Sequence, residues 1–358
     1  MFRNSHKPLI TLCCLALGTT VAGCSTTGEK SGSSSAAGSK VTTVTLVTHD
    51  SWVAPKELLA EFTKNTGYQV KVLASGDAGK VANSVVLSKG KPTGDVVFGI
   101  DNTFASRVVD AKALTNYTSK ALPKSASAYA LPGDSASAMT PIDFGDVCVN
   151  IDNAWFASKN KPVPQTLDDL VKPEYKGLFV TPGAATSSPG MAFLLATIAK
   201  YGDNGWQEYW KKLMANGTKV TSGWSDAWNV DYTASGGKGS RPIVLSYNTS
   251  PADTLKDGKS TTSAMTQSCF RQVEYAGVLA GAKNEPGAKA FIDFMLGKSF
   301  QTALPTNMYV FPVDRSIALP DAWRTAVKVP EKTLSVDPAK ITANRDAWLR
   351  TWQDATSG

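Results

Sequence analysis

The amino-acid sequence predicts an α/β protein built from two lobes. Segments with the pattern of strands alternate along the chain with segments that have the pattern of helices. Hydrophobic residues make up 42% of the chain and charged residues 19%, which is typical of a globular protein. The chain has 358 residues, which is long for one simple core and suits two lobes.

The predicted strands are short apolar runs rich in β-branched residues. The first of them, 41–47, is a run of valine and threonine that ends just before His49. We predict strands at 41–47, 68–73, 95–100, 142–151, 178–181, 218–221, 243–247 and 272–279.

The predicted helices have apolar residues that recur every three or four positions. The first begins near Pro55, presents Leu58 and Phe62 on one face, and stops at Gly67. The apolar run 191–199 is expected to be a core helix, since a membrane span needs about 20 residues. We predict helices at 55–65, 77–88, 102–111, 189–201, 206–215, 286–300 and 339–354.

The N-terminal segment has the pattern of an export signal followed by a tether. Its apolar stretch, 8–21, is too short to span a bilayer. Residues 21–24, Val-Ala-Gly-Cys, resemble a bacterial lipobox, and an ordinary small-residue cleavage site is the alternative. We predict a lipoprotein signal peptide at 1–23, lipidation of Cys24 and a flexible Ser- and Gly-rich linker within 24–40. This arrangement places the protein at the extracytoplasmic face of the cell membrane, held by a lipid anchor.

The composition excludes several function classes. After Cys24 the chain has one histidine, His49, and two cysteines, Cys148 and Cys269, with no Cys-x-x-Cys. Zinc sites rich in histidine or cysteine, and iron–sulfur sites, are therefore ruled out, and we predict no metal site. The formal charge of +7 is spread along the chain with no basic run among aromatic residues, so no nucleic-acid partner is expected.

Polar and aromatic residues follow the predicted strands, where ligands bind in α/β sheets. Asp143 belongs to a Pro-Ile-Asp-Phe-Gly segment near a predicted crossing between the lobes. The residues that follow strands include His49, Asp50, Asp77, Ala78, Asp101, Ser187, Ser188, Trp224, Tyr247, Asn248, Thr249 and Ser250. This set is acidic, aromatic and rich in hydroxyl groups, and it has almost no basic residue.

Such a set suits an organic cation that carries a polar or anionic tail. Carboxylates offset positive charge, and the face of Trp or Tyr attracts a cation by roughly 0.5–2 kcal/mol. The segment Thr186-Ser187-Ser188, followed by Pro189 in the first turn of a helix, presents hydroxyl and backbone N–H groups that can bind a phosphate.

Most of the residues that follow the predicted strands also have a structural interpretation. Helix capping would account for Asp77, Asp101, Ser187 and Ser188, a turn for Asp50, and packing for His49, Trp224 and Tyr247. The functional hypothesis therefore depends on the joint placement of the residues at strand ends.

Eight segments carry a resemblance to a known family. They are 48–51, 95–102, 141–145, 186–190, 222–225, 245–251, 304–307 and 348–352. In order and spacing, over about residues 44–354, they resemble the thiamine-binding substrate-binding proteins of ABC transporters. The resemblance implies a type II periplasmic-binding-protein fold, in which hinge strands join two lobes that close on the ligand.

The resemblance also implies a set of thiamine-contacting residues. It places Asp77 and Ala78, Ser187 and Ser188, Trp224, and the segment Tyr247, Asn248, Thr249 and Ser250 against the ligand. Asp50, Asp101 and Asp143 complete the predicted site from the strand-end argument. The chain departs from the family at His49, where Tyr is common, and at Ala252-Asp253, where an aromatic residue is common. Both departures reduce the expected aromatic surface.

The implied activity is binding without catalysis or cofactor. A monomer would capture thiamine or a thiamine phosphate and deliver it to a membrane permease. We predict one lobe from 41–143 with 268–312 and the other from 144–267 with 313–358, with crossings near Asp143, Ser268 and Pro312.

Within the predicted two-lobed fold, a disulfide bond is expected. Cys148 and Cys269 lie on strands that begin near the crossings, and an exported protein meets an oxidising environment. We predict that they bond and staple the hinge region.

Four alternatives stay open at this point. A thiaminase-like enzyme would use Cys148 as a nucleophile, although its apolar setting raises the pKa of a thiol. A ferric-ion site would need adjacent tyrosines, whereas Tyr247 stands before Asn248. A polyamine site would use the carboxylates and aromatic residues, and a structural surface protein would use none of them.

Overall fold

A ten-stranded mixed sheet organises the described part of the chain. The computed structural model describes residues 42–236 and 238–357. The predicted signal peptide, Cys24 and linker therefore lie outside the described residues. In the described ranges, none of the helices combines the length and the apolarity that a membrane span requires.

Eight of the twelve strands in the described residues overlap the apolar runs that predicted them, and the four strands of two residues each were not predicted. They are β1 (Thr43–Thr48), β2 (Gln69–Ala74), β3 (Val96–Asp101), β4 (Leu114–Thr115), β5 (Thr140–Asp152), β6 (Phe179–Pro182), β7 (Lys219–Thr221), β8 (Ile243–Tyr247), β9 (Leu255–Lys256), β10 (Lys259–Ser260), β11 (Thr262–Leu279) and β12 (Phe311–Pro312).

The helices connect these strands. They are α1 (Lys56–Thr66), α2 (Ala78–Leu87), α3 (Ala105–Asp110), α4 (Asn153–Ser158), α5 (Ser188–Tyr201), α6 (Trp206–Ala215), α7 (Trp224–Asp226), α8 (Glu285–Met295), α9 (Lys298–Asn307), α10 (Trp323–Ala326) and α11 (Pro338–Thr356).

The long antiparallel strands β5 and β11 lie at the centre of the sheet and carry a half on each side. The strand order is β2-β1-β3-β11-β5-β8-β6-β7, with β4 paired to β11 and β12 to β5. We call β2, β1, β3 and β4 the first half, and β8, β6 and β7 the second half. Neighbouring strands run parallel from β2 to β3 and from β8 to β7, so each half has a common carboxyl edge.

The three predicted crossing points lie on adjacent strands. Asp143 is on β5 and Ser268 is on β11, and Pro312 of β12 pairs directly with Asp143. The lobe boundaries themselves stay a prediction.

Helix α5 is a core helix, as its apolar run predicts. Every residue from Ser188 to Ile198 is buried. The ring of Phe193 packs against Phe179 of β6 and Trp210 of α6, and Trp210 in turn meets Trp352 of α11 edge-on at 5.5 Å. The C-terminal helix is thereby attached to the core of the second half.

Two predicted elements were wrong in extent. The helix predicted at 286–300 is two helices, α8 and α9, because Gly297 adopts an extended conformation between them. Strand β11 begins ten residues before the predicted position 272, since its polar first part has no apolar signal and is held by pairing with β5.

The predicted disulfide is confirmed. Cys148 of β5 bonds to Cys269 of β11, with the two Cα atoms 4.2 Å apart. Cys269 lies in the irregular stretch of β11 where the register with β5 shifts between Met265 and Phe270. The bond therefore ties the two central strands together at the place where their ladder is interrupted.

Removing this bond is expected to destabilise the protein. The bond spans 121 residues of sequence, and loss of a native disulfide usually costs about 2–5 kcal/mol. Urea unfolding of a Cys148→Ala/Cys269→Ala variant should show a lower free energy of unfolding than the oxidised parent. If the parent unfolds identically with and without reductant, the bond does not stabilise the fold.

Candidate ligand-binding site

Residues from both halves of the sheet line a cavity of about 330 Å³. This volume lies at the lower end of the range for sites that bind small molecules. The predicted residues among its lining are Asp50, Asp77, Ala78, Ser188, Trp224, Tyr247 and Ser250, and His49 lines it as well. The strand-end argument therefore brought together residues that follow β1, β2, β6, β7 and β8.

Three predicted residues lie behind the cavity wall as structural supports. Ser187 caps α5 by accepting a hydrogen bond from the Gly190 N–H. Thr249 donates its hydroxyl to the Tyr309 carbonyl at 2.5 Å. Asn248 accepts a hydrogen bond from the Asp146 N–H and donates to the Lys328 carbonyl.

Asp101 and Asp143 are also buried away from the cavity lining. Both side chains are fully inaccessible to solvent. Asp101 does not cap α3, whose N-cap is Phe104, but accepts hydrogen bonds from the backbone N–H and the hydroxyl of Thr103. Asp143 faces Glu274, its partner in register on β11.

Asp77 joins the two halves across the cavity. It caps α2, where one carboxylate oxygen accepts the Ala78 N–H at 2.6 Å. The other oxygen accepts the N–H of Trp224, a residue of the second half, at 2.8 Å. Burial raises the pKa of Asp77, although the N–H groups of Trp224 and Ala78 and the Ser187 hydroxyl act in the opposite direction. Asp77 therefore caps a helix, as the structural interpretation predicts, and also lines the cavity, as the functional hypothesis predicts.

A chain of hydrogen bonds orients the aromatic wall of the cavity. The indole N–H of Trp224 donates to the Ser246 hydroxyl at 2.9 Å, and that hydroxyl lies 2.7 Å from the hydroxyl of Ser250. Ser250 also accepts the backbone N–H of Tyr247 at 3.1 Å. Trp224 stacks on Trp228 with 5.8 Å between ring centroids, so its ring is held from two sides.

Tyr247 is oriented by its own set of neighbours. Its hydroxyl donates to Gln272 of β11 at 3.1 Å. Its ring crosses Gly145 of β5, where a Cβ atom would lie 2.9 Å from the ring. The glycine of the Pro-Ile-Asp-Phe-Gly segment therefore makes room for an aromatic residue of the cavity.

His49 is held between a glycine and a carboxylate. A Cβ atom at Gly99, whose φ is +90°, would lie 2.1 Å from the imidazole ring, so only glycine fits beneath it. Nε2 lies 3.3 Å from Glu274 Oε1, and Nδ1 lies 2.8 Å from the Ser51 hydroxyl. Burial is the largest single effect and lowers the pKa of His49, but the carboxylates of Glu274, Asp77 and Asp50 together outweigh it and raise the pKa above 6.5.

The cavity lining is acidic. Four carboxylate residues face it, namely Asp50, Asp77, Asp253 and Glu274, and no lysine or arginine is among its lining residues in the described ranges. In the same ranges, no group of three or more His, Cys, Asp or Glu residues has an arrangement that could hold a metal ion. The electrostatic environment therefore favours an organic cation.

Comparison with known proteins agrees with this geometry. The sequence family described as bacterial extracellular solute-binding protein matches residues 91–333. The chain belongs to this family.

Within the solute-binding proteins, the chain is similar to curated relatives that are named thiamine-binding periplasmic proteins. The chain is 31% identical over 322 residues to the thiamine-binding periplasmic protein of Escherichia coli (strain K12), covering 88% of this chain and 93% of that one. It is 33% identical over 333 residues to the thiamine-binding periplasmic protein of Brucella suis biovar 1 (strain 1330), covering 88% and 92%.

Solved structures confirm the predicted two-lobed periplasmic-binding-protein fold. A periplasmic thiamin binding protein superposes with a TM-score of 0.76 at 28% identity, covering 88% of this chain and 96% of that one. A ferric binding protein from Campylobacter jejuni has a TM-score of 0.67 at 18% identity, covering 87% and 99%, and shares the fold.

The sequence argument missed several lining residues of this solute-binding protein. Trp228 follows Trp224 by four residues, and this helical spacing could have identified it. Glu274 is a lone carboxylate within the apolar run of β11, which is also a usable signal. Asp253 belongs to the Ala252-Asp253 pair where the chain departs from the family, but it lies beyond the residues taken from the end of the predicted strand 243–247. Tyr309 follows no predicted strand and enters the cavity only through the tertiary fold.

The pairing of His49 with Glu274 predicts a raised histidine pKa. Substitution of His6 leaves His49 as the sole histidine, so NMR can follow its titration alone. We expect a pKa above 6.5 in the parent and a lower one in Glu274→Gln, whereas the surface control Glu285→Gln should leave it unchanged. An unchanged His49 pKa in Glu274→Gln would contradict the ion pair.

The sign of the accompanying stability change follows from the same shift. The folded pKa of His49 lies above its unfolded value. The pair therefore stabilises the fold below the unfolded pKa, and this contribution is lost as the pH rises through the folded pKa.

Proposed function

We propose that this protein captures thiamine, or a thiamine phosphate, outside the cytoplasm and delivers it to an ABC importer. The observation that carries the proposal is the acidic and aromatic cavity without a lysine or arginine among its described lining residues. The relatives named as thiamine-binding periplasmic proteins, at 31–33% identity over most of the chain, support the same ligand.

The cavity chemistry fits a thiazolium cation. Asp77 and Glu274 are largely buried, so their charges are little screened by water. Trp224 and Tyr247 offer aromatic faces on the same cavity, and a desolvated cation–π contact contributes about 2 kcal/mol. Charge and stacking together would hold the positive ring.

The start of α5 suits the polar end of the ligand. Ser188 and Pro189 form its first turn and line the cavity. Pro189 has no N–H and the Gly190 N–H is donated to Ser187, so Ser188 supplies the polar groups that an anion would meet at this helix N-terminus. A hydroxyl or phosphate tail of thiamine would lie here, so that no basic side chain is needed.

We infer that the two halves close on the ligand by a hinge. Two hydrogen bonds join them at the cavity, from the Trp224 N–H to Asp77 and from the Ser225 hydroxyl to Asp50. Strands β5, β11 and β12 connect the halves and would bend at the predicted crossings. The proposed lobes are 41–143 with 268–312 and 144–267 with 313–358.

The proposed setting is a monomer on a lipid tether. Signal removal after residue 23, lipidation of Cys24 and the linker that follows would keep the protein beside its permease. The proposed role is binding without catalysis or cofactor. Cys148, the candidate nucleophile of a thiaminase-like enzyme, is fully buried and bonded to Cys269, so it has no free thiolate.

Replacing Trp224 tests the ligand and its recognition together. Calorimetry should detect thiamine binding by the parent, and Trp224→Ala should bind about 30-fold more weakly, since about 2 kcal/mol of stacking is lost. The control Trp155→Ala removes a half-buried tryptophan that does not line the cavity and should bind like the parent.

The same measurement separates the competing ligands. Spermidine and ferric ion are titrated in place of thiamine, and neither is expected to bind at concentrations that saturate thiamine binding. Binding of either without thiamine would contradict the proposal. The Tyr247 hydroxyl is already engaged by Gln272, which argues against its use as an iron ligand.

If the two halves close on the ligand, a substitution at Gly79 of α2 should also weaken thiamine binding. A Cβ atom there would lie 2.7 Å from the backbone of Thr186 in the second half. Gly79→Ala is therefore expected to weaken thiamine affinity at least about tenfold while leaving the ligand-free thermal midpoint equal or higher, because alanine favours a helix. The control Lys80→Ala lies on the exposed side of α2 and should leave affinity unchanged.

Unchanged affinity in Gly79→Ala would show that α2 and residue 186 do not approach each other in the liganded protein. A lowered thermal midpoint in the absence of ligand would instead assign the effect to packing within the first half.

A further inference from the structure

Three carboxyl groups form a row across the centre of the sheet. Glu274 of β11 is in register with Asp101 of β3 on one side and with Asp143 of β5 on the other. We call Asp101, Glu274 and Asp143 the acidic row. All three are buried, with Glu274 only 6% exposed. Like charges directly opposite each other on neighbouring strands are destabilising.

Hydrogen bonding shows how the row is tolerated. No described donor is hydrogen-bonded to either carboxylate oxygen of Asp143. A buried, ionised carboxylate without donors is highly unfavourable, whereas a protonated one can donate to a neighbouring carboxylate. Burial beside Glu274 therefore favours the protonated form of Asp143, which can donate a hydrogen bond to the Glu274 carboxylate.

Electrostatics agrees with this assignment. Burial, followed by the charge of Glu274, raises the pKa of Asp143 well above its ordinary value. Burial raises the pKa of Asp101 to about 7, although the Thr103 and Ser188 hydroxyls act in the opposite direction. The row therefore holds protons in neutral solution that it would lose if positive charge were brought near.

The groups around the row complete its charge balance. His49 lies beside Glu274, with its Nε2 atom 3.3 Å from Glu274 Oε1, and the carboxylate favours the charged form of the imidazole. The titratable or charged groups that interact directly with members of the row are His49, Tyr247, Tyr275 and Arg345, which donates to the Thr103 carbonyl. Asp77 and Asp50 interact with His49 and so act on the row indirectly.

Glu274 connects the row to the cavity. It lines the cavity, whereas Asp101 and Asp143 lie behind it. A ligand cation in the cavity therefore acts on the row through the Glu274 carboxylate. Positive charge close to a carboxyl group favours its ionised form.

We propose that Glu274 is a specificity-determining residue for a cationic ligand, and that the bound ligand's charge displaces a proton from the acidic row into solvent. This inference rests on the proposed function. No covalent bond changes, since a carboxyl O–H ionises and the proton passes to buffer. Binding should then strengthen as the pH rises, because proton release accompanies it.

Calorimetry in buffers with different ionisation enthalpies measures the released proton directly. For the parent at about pH 7 we expect release of up to about one proton per thiamine, and affinity that rises by up to about tenfold per pH unit. Glu274→Gln should bind more weakly and release less. Asp101→Asn/Asp143→Asn keeps the side-chain shapes but cannot titrate, so its release should be lost while thiamine still binds.

A matched control variant distinguishes the effect of the acidic row from the effect of any other carboxylate that lines the cavity. Asp253 also lines the cavity but is exposed. Asp253→Asn should weaken binding and leave the number of released protons unchanged.

The outcomes are distinct. If the parent binds thiamine without proton release near neutral pH, the inference is overturned and the proposed function stands. If Glu274→Gln binds as tightly as the parent, Glu274 does not determine specificity. Absence of thiamine binding by the parent overturns the proposed function and this inference with it. Absence of proton release by the parent overturns the inference even if a row variant fails to fold.

Discussion

The antiparallel pairing of β5 with β11 is the constraint on which the cavity depends. These strands carry one half of the sheet each, and the Cys148–Cys269 bond ties them together beside an irregularity in their ladder. Register then fixes which side chains face one another. It sets Glu274 opposite Asp143, and places Gly145 where the Tyr247 ring must pass. The carboxyl edges of the two halves thereby meet at one cavity.

The site concentrates negative charge in a buried place, and the fold compensates each carboxylate differently. Asp77 accepts two backbone N–H groups, one from each half. Glu274 faces His49, and burial together with the charge of Glu274 raises the pKa of Asp143 well above its ordinary value. Such groups are costly to bury unless they are paired or protonated. A cation in the cavity would offset the negative charge of these carboxylates that the side chains leave unpaired. Because both halves of the sheet line the cavity, selection of a cation and closure of the halves would be linked.

Aromatic surface in the cavity comes partly from unexpected positions. His49 and the Ala252-Asp253 pair led us to expect less of it than the family usually has. Trp228 stacks behind Trp224, and Tyr309 enters from the connection between α9 and β12. Tyr309 has a φ of +53°, in the left-handed region, so this connection is bent tightly there. The surface is therefore assembled from segments that are distant in sequence.

The sequence by itself determined the α/β class, most strands and helices, and the acidic and aromatic loops after β1, β2, β7 and β8. These are local properties, since periodicity and strand-end position are visible in short windows. Chain length indicated two lobes, and resemblance to a family supplied the hinged fold within which the disulfide was predicted. Tertiary structure alone decided that Asp101, Asp143, Asn248 and Thr249 support the wall rather than line it, and that Glu274 meets both aspartates of the row. Register between distant strands is set by packing and by the ladder as a whole, so no short window of sequence contains it.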